Sequence, residues 1–258
     1  MNIGVSTACY YPLETEISLE KIGLAGIDTA EVFFNARSEL KPPFIDILKN
    51  IKEQYGIRIP SIHPTFSLAE SFMIFSNYER RFYEALDEFA RYSEIAAELG
   101  AKYIILHGGK NNGILTDEEY CEKYILLKEQ TLKNSVTILQ ENVFKYRAGD
   151  IEFLRSMQNI LKNDAEFCID IKQSLRCGYP PVELIEEFSQ NIRHYHISDN
   201  SPASDCLLPG NGNFNFKSFF ELIKNTGYNG DCIIEVYSNS YHDYSEISDS
   251  YKKLIKNI

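Results

Sequence analysis

The alternation of short β-rich runs with longer helical patterns predicts an α/β chain folded as a single (β/α)8 TIM barrel, with residues 1–258 as one domain. Three observations carry the prediction. Eight short apolar runs recur along the chain, each is followed by a stretch with apolar residues at three- and four-residue spacing, and the 258-residue length matches the arithmetic of such a barrel. No G-x-G-x-x-G or P-loop follows the first run, which places a doubly wound sheet second. No linker, low-complexity tract or internal repeat divides the chain.

The strands are expected at "IGVSTA" (3–8), "TAEVFF" (29–34), "RIPSIH" (58–63), "KYIILHG" (102–108), "VTILQEN" (136–142), "EFCIDIK" (166–172), "IRHYHIS" (192–198) and "DCIIEVY" (231–237). Between them, "FIDILKNIKEQYG" (44–56) and "NYERRFYEALDEFARYSEIAAELG" (77–100) read as helices closed by a glycine, and "YSEISDSYKKLIKNI" (244–258) as the last helix.

Composition narrows the function. The formal net charge is −11 and no basic block appears, so nucleic acid is not an expected partner: duplex binding rests on Lys and Arg neutralising phosphates. A small, sugar-like substrate is compatible with an acidic chain, and further copies of the chain are the other partner to consider. The six cysteines form no C-x-x-C pair and read as reduced, mostly core thiols. No run of uncharged apolar residues is long enough to span a membrane, so a cytoplasmic protein is expected.

In a barrel of this type, chemistry sits at the C-terminal ends of the strands. Those ends here carry His63, His107, Glu141, Asp170, His196 and Glu235. Converging carboxylates repel one another or stay protonated without a cation, so Glu141, Asp170, His196 and Glu235 together read as ligands of a divalent metal. Oxygen-rich ligation with one imidazole suits Mn2+ or Mg2+, and Co2+ or Zn2+ also accept it. His63 and His107 read equally as hydrogen-bonded structural residues and as substrate contacts. His194, two residues before His196, faces the same side one layer deeper and reads as core. Lys172 shares the face of Asp170 if the strand stays regular, which would place it at the rim of the site; a solvent-exposed lysine at a strand end is the equal alternative. Phe34, Phe66 and Phe72 are candidates to cover the apolar face of a sugar, whereas "FNF" at 214–216 is expected to pack the start of the seventh helix.

The segments "SIHP", "ILHGG", "ILQEN", "CIDIK", "HYHISDN", "LLPGNGNFNF" and "IIEVY" resemble, in order and spacing, the xylose isomerase-like barrels (AP endonuclease 2 family). That superfamily holds sugar isomerases and epimerases, inosose dehydratase and endonuclease IV. Likeness to its ketose 3-epimerases implies one divalent ion bound by Glu141, Asp170, His196 and Glu235. It implies a metal-dependent sugar or sugar phosphate isomerase or epimerase working through a metal-stabilised cis-enediolate, with Glu141 and Glu235 as acid and base. An abasic-site nuclease or an inosose-type dehydratase is the alternative on the same barrel. His63, His107, Lys172 and Gln173 are the substrate-contact candidates. Three positions depart from the pattern: Gln173 stands where many members carry His, Cys206 where the nucleases carry a zinc-binding His, and Pro202 where the epimerases carry Arg.

Overall fold

The computed structural model describes residues 1–65 and 69–256. Eight parallel strands close into the expected barrel: β1 (Asn2–Ser6), β2 (Ala30–Phe33), β3 (Ser61–His63), β4 (Tyr103–Leu106), β5 (Thr137–Glu141), β6 (Phe167–Asp170), β7 (Ile192–Ile197) and β10 (Asp231–Ile234). An antiparallel hairpin, β8 (Asp199–Ser201) and β9 (Ser204–Leu207), is inserted after β7. The ring closes because β1 pairs on one side with β2 and on the other with β10. The helices are α1 (Thr15–Leu24), α2 (Pro42–Tyr55), α3 (Glu70–Met73), α4 (Glu79–Leu99), α5 (Asp117–Leu132), α6 (Ile151–Leu161), α7 (Ile171–Arg176), α8 (Pro181–Phe188), α9 (Phe216–Asn225) and α10 (Ser245–Ile255). None of the described helices is long and apolar enough to cross a membrane.

The helix ends follow the sequence. α2 and α4 stop at Gly56 (φ 66°) and Gly100 (φ 79°), whose left-handed backbone lets each amide bond back to the last turn. The end of the last expected helix, residues 257–258, lies outside the described residues. Phe214 and Phe216 pack their rings 4.9 Å apart at the start of α9, and Phe214 also meets Phe219, as expected.

The strands are shorter than the apolar runs that mark them, and at β6 the difference matters. The run 166–172 was expected to continue as strand through Lys172, but the chain turns helical at Ile171. Asp170 is the cause: its Oδ1 accepts the Gln173 amide at 3.1 Å and so caps α7.

Side chains alternate along each strand, which divides the apolar interior in two. One set packs between barrel and helices; Phe34, near Tyr92 of α4, belongs to it. A small separate cluster of Ile105, Leu139 and Cys168, with Tyr103 against it, fills the lower barrel lumen. The next inward position on the same strands, two residues further along, is His107, Glu141 or Asp170. The lumen thus changes from apolar to ionisable within one layer.

The loop from β7 to α9 is anchored by Asp199. Its buried carboxylate accepts the amides of Asn200 (2.7 Å), Gly210 (2.9 Å), Gly212 (3.0 Å) and Phe214 (2.8 Å). A Cβ at Gly212 would stand 2.3 Å from the Asn200 carbonyl and 2.4 Å from Asp199 Oδ1, so only glycine lets the backbone approach this closely. Asp199→Ala should therefore lower stability by about 3 kcal/mol in urea unfolding, since several amides lose a charged acceptor at once. A loss below about 0.5 kcal/mol would show that the loop holds itself.

Candidate active site

β5, β6, β7 and β10 deliver Glu141, Asp170, His196 and Glu235 to one level of the barrel mouth, with one donor atom from each lying within 4.8 Å of the others. Strand register makes this so: Asp170 lies beside His196, and His196 beside Ile233, two residues before Glu235. His196 is the centre of the group. Its Nδ1 lies 3.2 Å from Glu141 Oε1, 3.6 Å from Glu235 Oε2 and 3.9 Å from Asp170 Oδ2. Its Nε2 faces the other way, 3.1 Å from Glu31 Oε2.

Glu31, on β2, was not singled out from the sequence. Fully buried, it also accepts from Ser61 Oγ (2.8 Å) and lies 3.4 Å from His194 Nε2, so it fixes the imidazole plane of His196 from below. The only signal for it was a lone acid at an inward position of an apolar strand. His194 occupies the deeper layer anticipated for it.

Lys172 is not at the rim. The first turn of α7 folds its stem back over the end of β6, leaving the side chain 1% exposed. Its ammonium donates to Asp170 Oδ2 and to Glu235 Oε2.

Electrostatics follow from these contacts. Burial alone would raise the Glu141 carboxyl, but His107, His196 and His63 around it hold it well below the usual range. Burial likewise opposes ionisation of Glu235, and the neighbouring Lys172 and His196 outweigh it. Asp170 goes the other way, up to about 6, because burial and the adjoining Glu141 and Glu235 exceed the help from Lys172 and His196. Burial disfavours the charged form of Lys172, yet Asp170 and Glu235 keep it protonated far above the usual range.

A cavity of about 480 Å³ opens above this level, bordered by His107, Glu141, Lys172, Gln173 and Glu235. His63 is the exception among the expected substrate contacts. It is buried behind the cavity, stacked on Phe33 (4.5 Å between centroids) and edge-on to His107 (4.7 Å), and 3.9 Å from Glu141 Oε2. His107 lies 3.2 Å from the same oxygen. Gln173 is already engaged, its Oε1 accepting the Phe144 amide at 3.1 Å.

The aromatic wall is also not the expected one. Phe33, Tyr11 and Tyr237 supply it. Phe34, one residue on, points to the helix layer because successive strand residues face opposite ways; Phe72 is exposed and does not border the cavity, and Phe66 lies outside the described residues. Cys206 is buried, and burial raises its thiol.

The donor set fits a divalent cation. Three buried or nearly buried carboxylates and an imidazole converge, an oxygen-rich set with one nitrogen donor. These side chains are the ones to hold such an ion.

A closed parallel barrel with an acid-and-imidazole centre at its C-terminal mouth is the class that fold and site define. Residues 19–257 match the xylose isomerase-like TIM barrels, and the chain belongs to that family. An uncharacterised protein of Mycobacterium leprae is 22% identical over 95% of this chain and 92% of its own. Fructoselysine 3-epimerase of Escherichia coli O157:H7 is 23% identical over 92% of this chain and 90% of its own. Among solved structures, a D-tagatose 3-epimerase-like protein superposes with a TM-score of 0.82 at 23% identity, covering 100% of this chain and 97% of that one. IOLI protein, solved with a bound zinc atom, gives 0.77 at 18% identity over 100% and 96%.

Glu70, also unmarked in the sequence, latches α3 to the end of β4: its Oε2 accepts the Gly108 amide at 2.5 Å. Burial raises its carboxyl to about 8 despite the nearby His107 and that amide. The folded chain then keeps a proton that the unfolded chain, at its ordinary value of 4.5, has lost. Stability must fall as pH rises between those two values, by up to about 1.4 kcal/mol per pH unit. In Glu70→Gln this slope should vanish. Urea unfolding of both proteins at several pH values in that window checks it, and parallel slopes would refute the assignment.

Proposed function

We propose that the chain is a divalent-metal-dependent sugar isomerase or epimerase, with Glu141 and Glu235 moving the proton. The observation that carries this reading is their placement. They stand on β5 and β10, on either side of the Asp170 and His196 strands, and both border the one cavity. The epimerase relatives support the same substrate class.

Glu141, Asp170, His196 and Glu235 would hold a divalent ion, which would supply Lewis-acid polarisation of the sugar carbonyl. The protein groups do the rest. One glutamate removes the proton from the carbon beside the carbonyl, and the other returns a proton from the opposite side. Return to the same carbon gives an epimer; return to the neighbouring carbon, with the hydroxyl proton passing to the former carbonyl oxygen, gives an isomer. Glu31 keeps the Nδ1 edge of His196 turned toward the carboxylates. Phe33, Tyr11 and Tyr237 present apolar faces that suit the C–H side of a sugar ring. The acidic chain and the buried Cys206 both weigh against the abasic-site nuclease.

Protein loaded with Mn2+ should carry one ion per chain by elemental analysis, and Asp170→Asn or His196→Ala should lose it; three zinc ions per chain would contradict the single-ion site. Incubated with a panel of ketoses in D2O, the wild type should place deuterium at a carbon-bound position of one of them. At saturating metal, Glu235→Gln should slow that exchange by at least roughly 100-fold, the usual cost of losing a general acid or base. Near-wild-type exchange in this variant would make Glu235 a ligand only.

A further inference from the structure

We propose that Lys172 is an internal counter-cation of the centre, its ammonium holding Asp170 and Glu235 together when no metal is bound and giving way when a divalent ion enters. The inference rests on the metal reading above but not on the choice of substrate.

The geometry carries it. The ammonium hydrogen-bonds Asp170 Oδ2 and Glu235 Oε2, and these are the same two oxygens that face His196 Nδ1, at 3.9 and 3.6 Å. An ion shared by the four side chains needs those oxygens, and a positive charge hydrogen-bonded to both is in its immediate surroundings. Two cations at that separation repel strongly in a buried site. Without either, Glu141, Asp170 and Glu235 would be three buried carboxylates with His196 between them.

There is room for the exchange. Lys172 borders the cavity, and its ammonium already lies 5.6 Å from the centre of the Tyr237 ring on the cavity wall. A rotation about its flexible stem moves the charge from the carboxylates toward that ring without disturbing the backbone of α7. Lysine suits this use better than arginine, because a compact ammonium on a four-carbon stem mimics a small ion and can be displaced.

The test compares wild type with Lys172→Met and Lys172→Gln, using Mn2+ alone as the probe. Binding is read by the loss of the free Mn2+ electron paramagnetic resonance signal, and melting temperature is measured with and without the ion. Wild type should melt somewhat higher with the ion, by less than either variant gains. Both variants should bind Mn2+ at least about tenfold more tightly, a low bound for removing a like charge beside a divalent ion, and should melt well below wild type until Mn2+ is added. A variant that folds only with Mn2+ supports the proposal equally. Unchanged or weaker Mn2+ binding in the folded variants overturns it and leaves the metal site standing. No Mn2+ binding by wild type or variants overturns both.

Discussion

Four carboxylates, Glu31, Glu141, Asp170 and Glu235, converge at one end of a closed barrel where little water reaches them, and the rest of the mouth is arranged around that charge. Taking an ion out of water costs several kcal/mol even after relaxation, so each of these groups requires a positive or hydrogen-bonding partner. His196 serves them all, with Glu31 below its ring and the other three above it. Lys172 closes the upper side and His107 flanks Glu141. Removing one member leaves its neighbours buried and unpaired, so the group stands or falls as a unit.

The barrel supplies the precision that this balance needs. Parallel register puts residues of neighbouring strands at one height, and period-two alternation decides which of them face the lumen. Below this layer Ile105, Leu139 and Cys168 form an apolar floor on one side, and His194 with Glu31 lies on the other. Asp170 shows how closely fold and site are joined. One of its oxygens caps α7 and ends β6, the other receives the ammonium that α7 itself carries back. The same residue that stops the strand therefore sets where Lys172 points.

Barrels of this fold carry their chemistry at the C-terminal mouth of the strands, but identities of 22–25% to the relatives leave the individual activity to the site itself. The walls of the cavity are made by other residues. Gln173 is tied to the Phe144 backbone, Lys172 faces inward, and Phe33 with Tyr11 and Tyr237 forms the apolar side of the cavity. Glu70 and Asp199 stand outside the four-residue donor set and accept backbone amides, Glu70 at the end of β4 and Asp199 in the loop after β7.

The sequence by itself determined the barrel and the inward acids and imidazoles of β5, β6, β7 and β10, because strand periodicity and strand-end chemistry are local properties of the chain. It also determined the glycine-closed helices, since a left-handed cap needs only its own residue. Tertiary structure alone decided the partners. Glu31 became legible only when β2 was folded beside β3 and its acid met Ser61, His194 and His196 from other strands. Lys172 looked like a rim residue while the strand was assumed to run on; a helix cap turned it inward. The choice of Phe33 over Phe34, and of His107 over His63, as cavity wall depended on a single step of strand parity or on a neighbouring ring. Apart from that parity step, such differences arise from residues far apart in sequence meeting across the lumen, which no local pattern encodes.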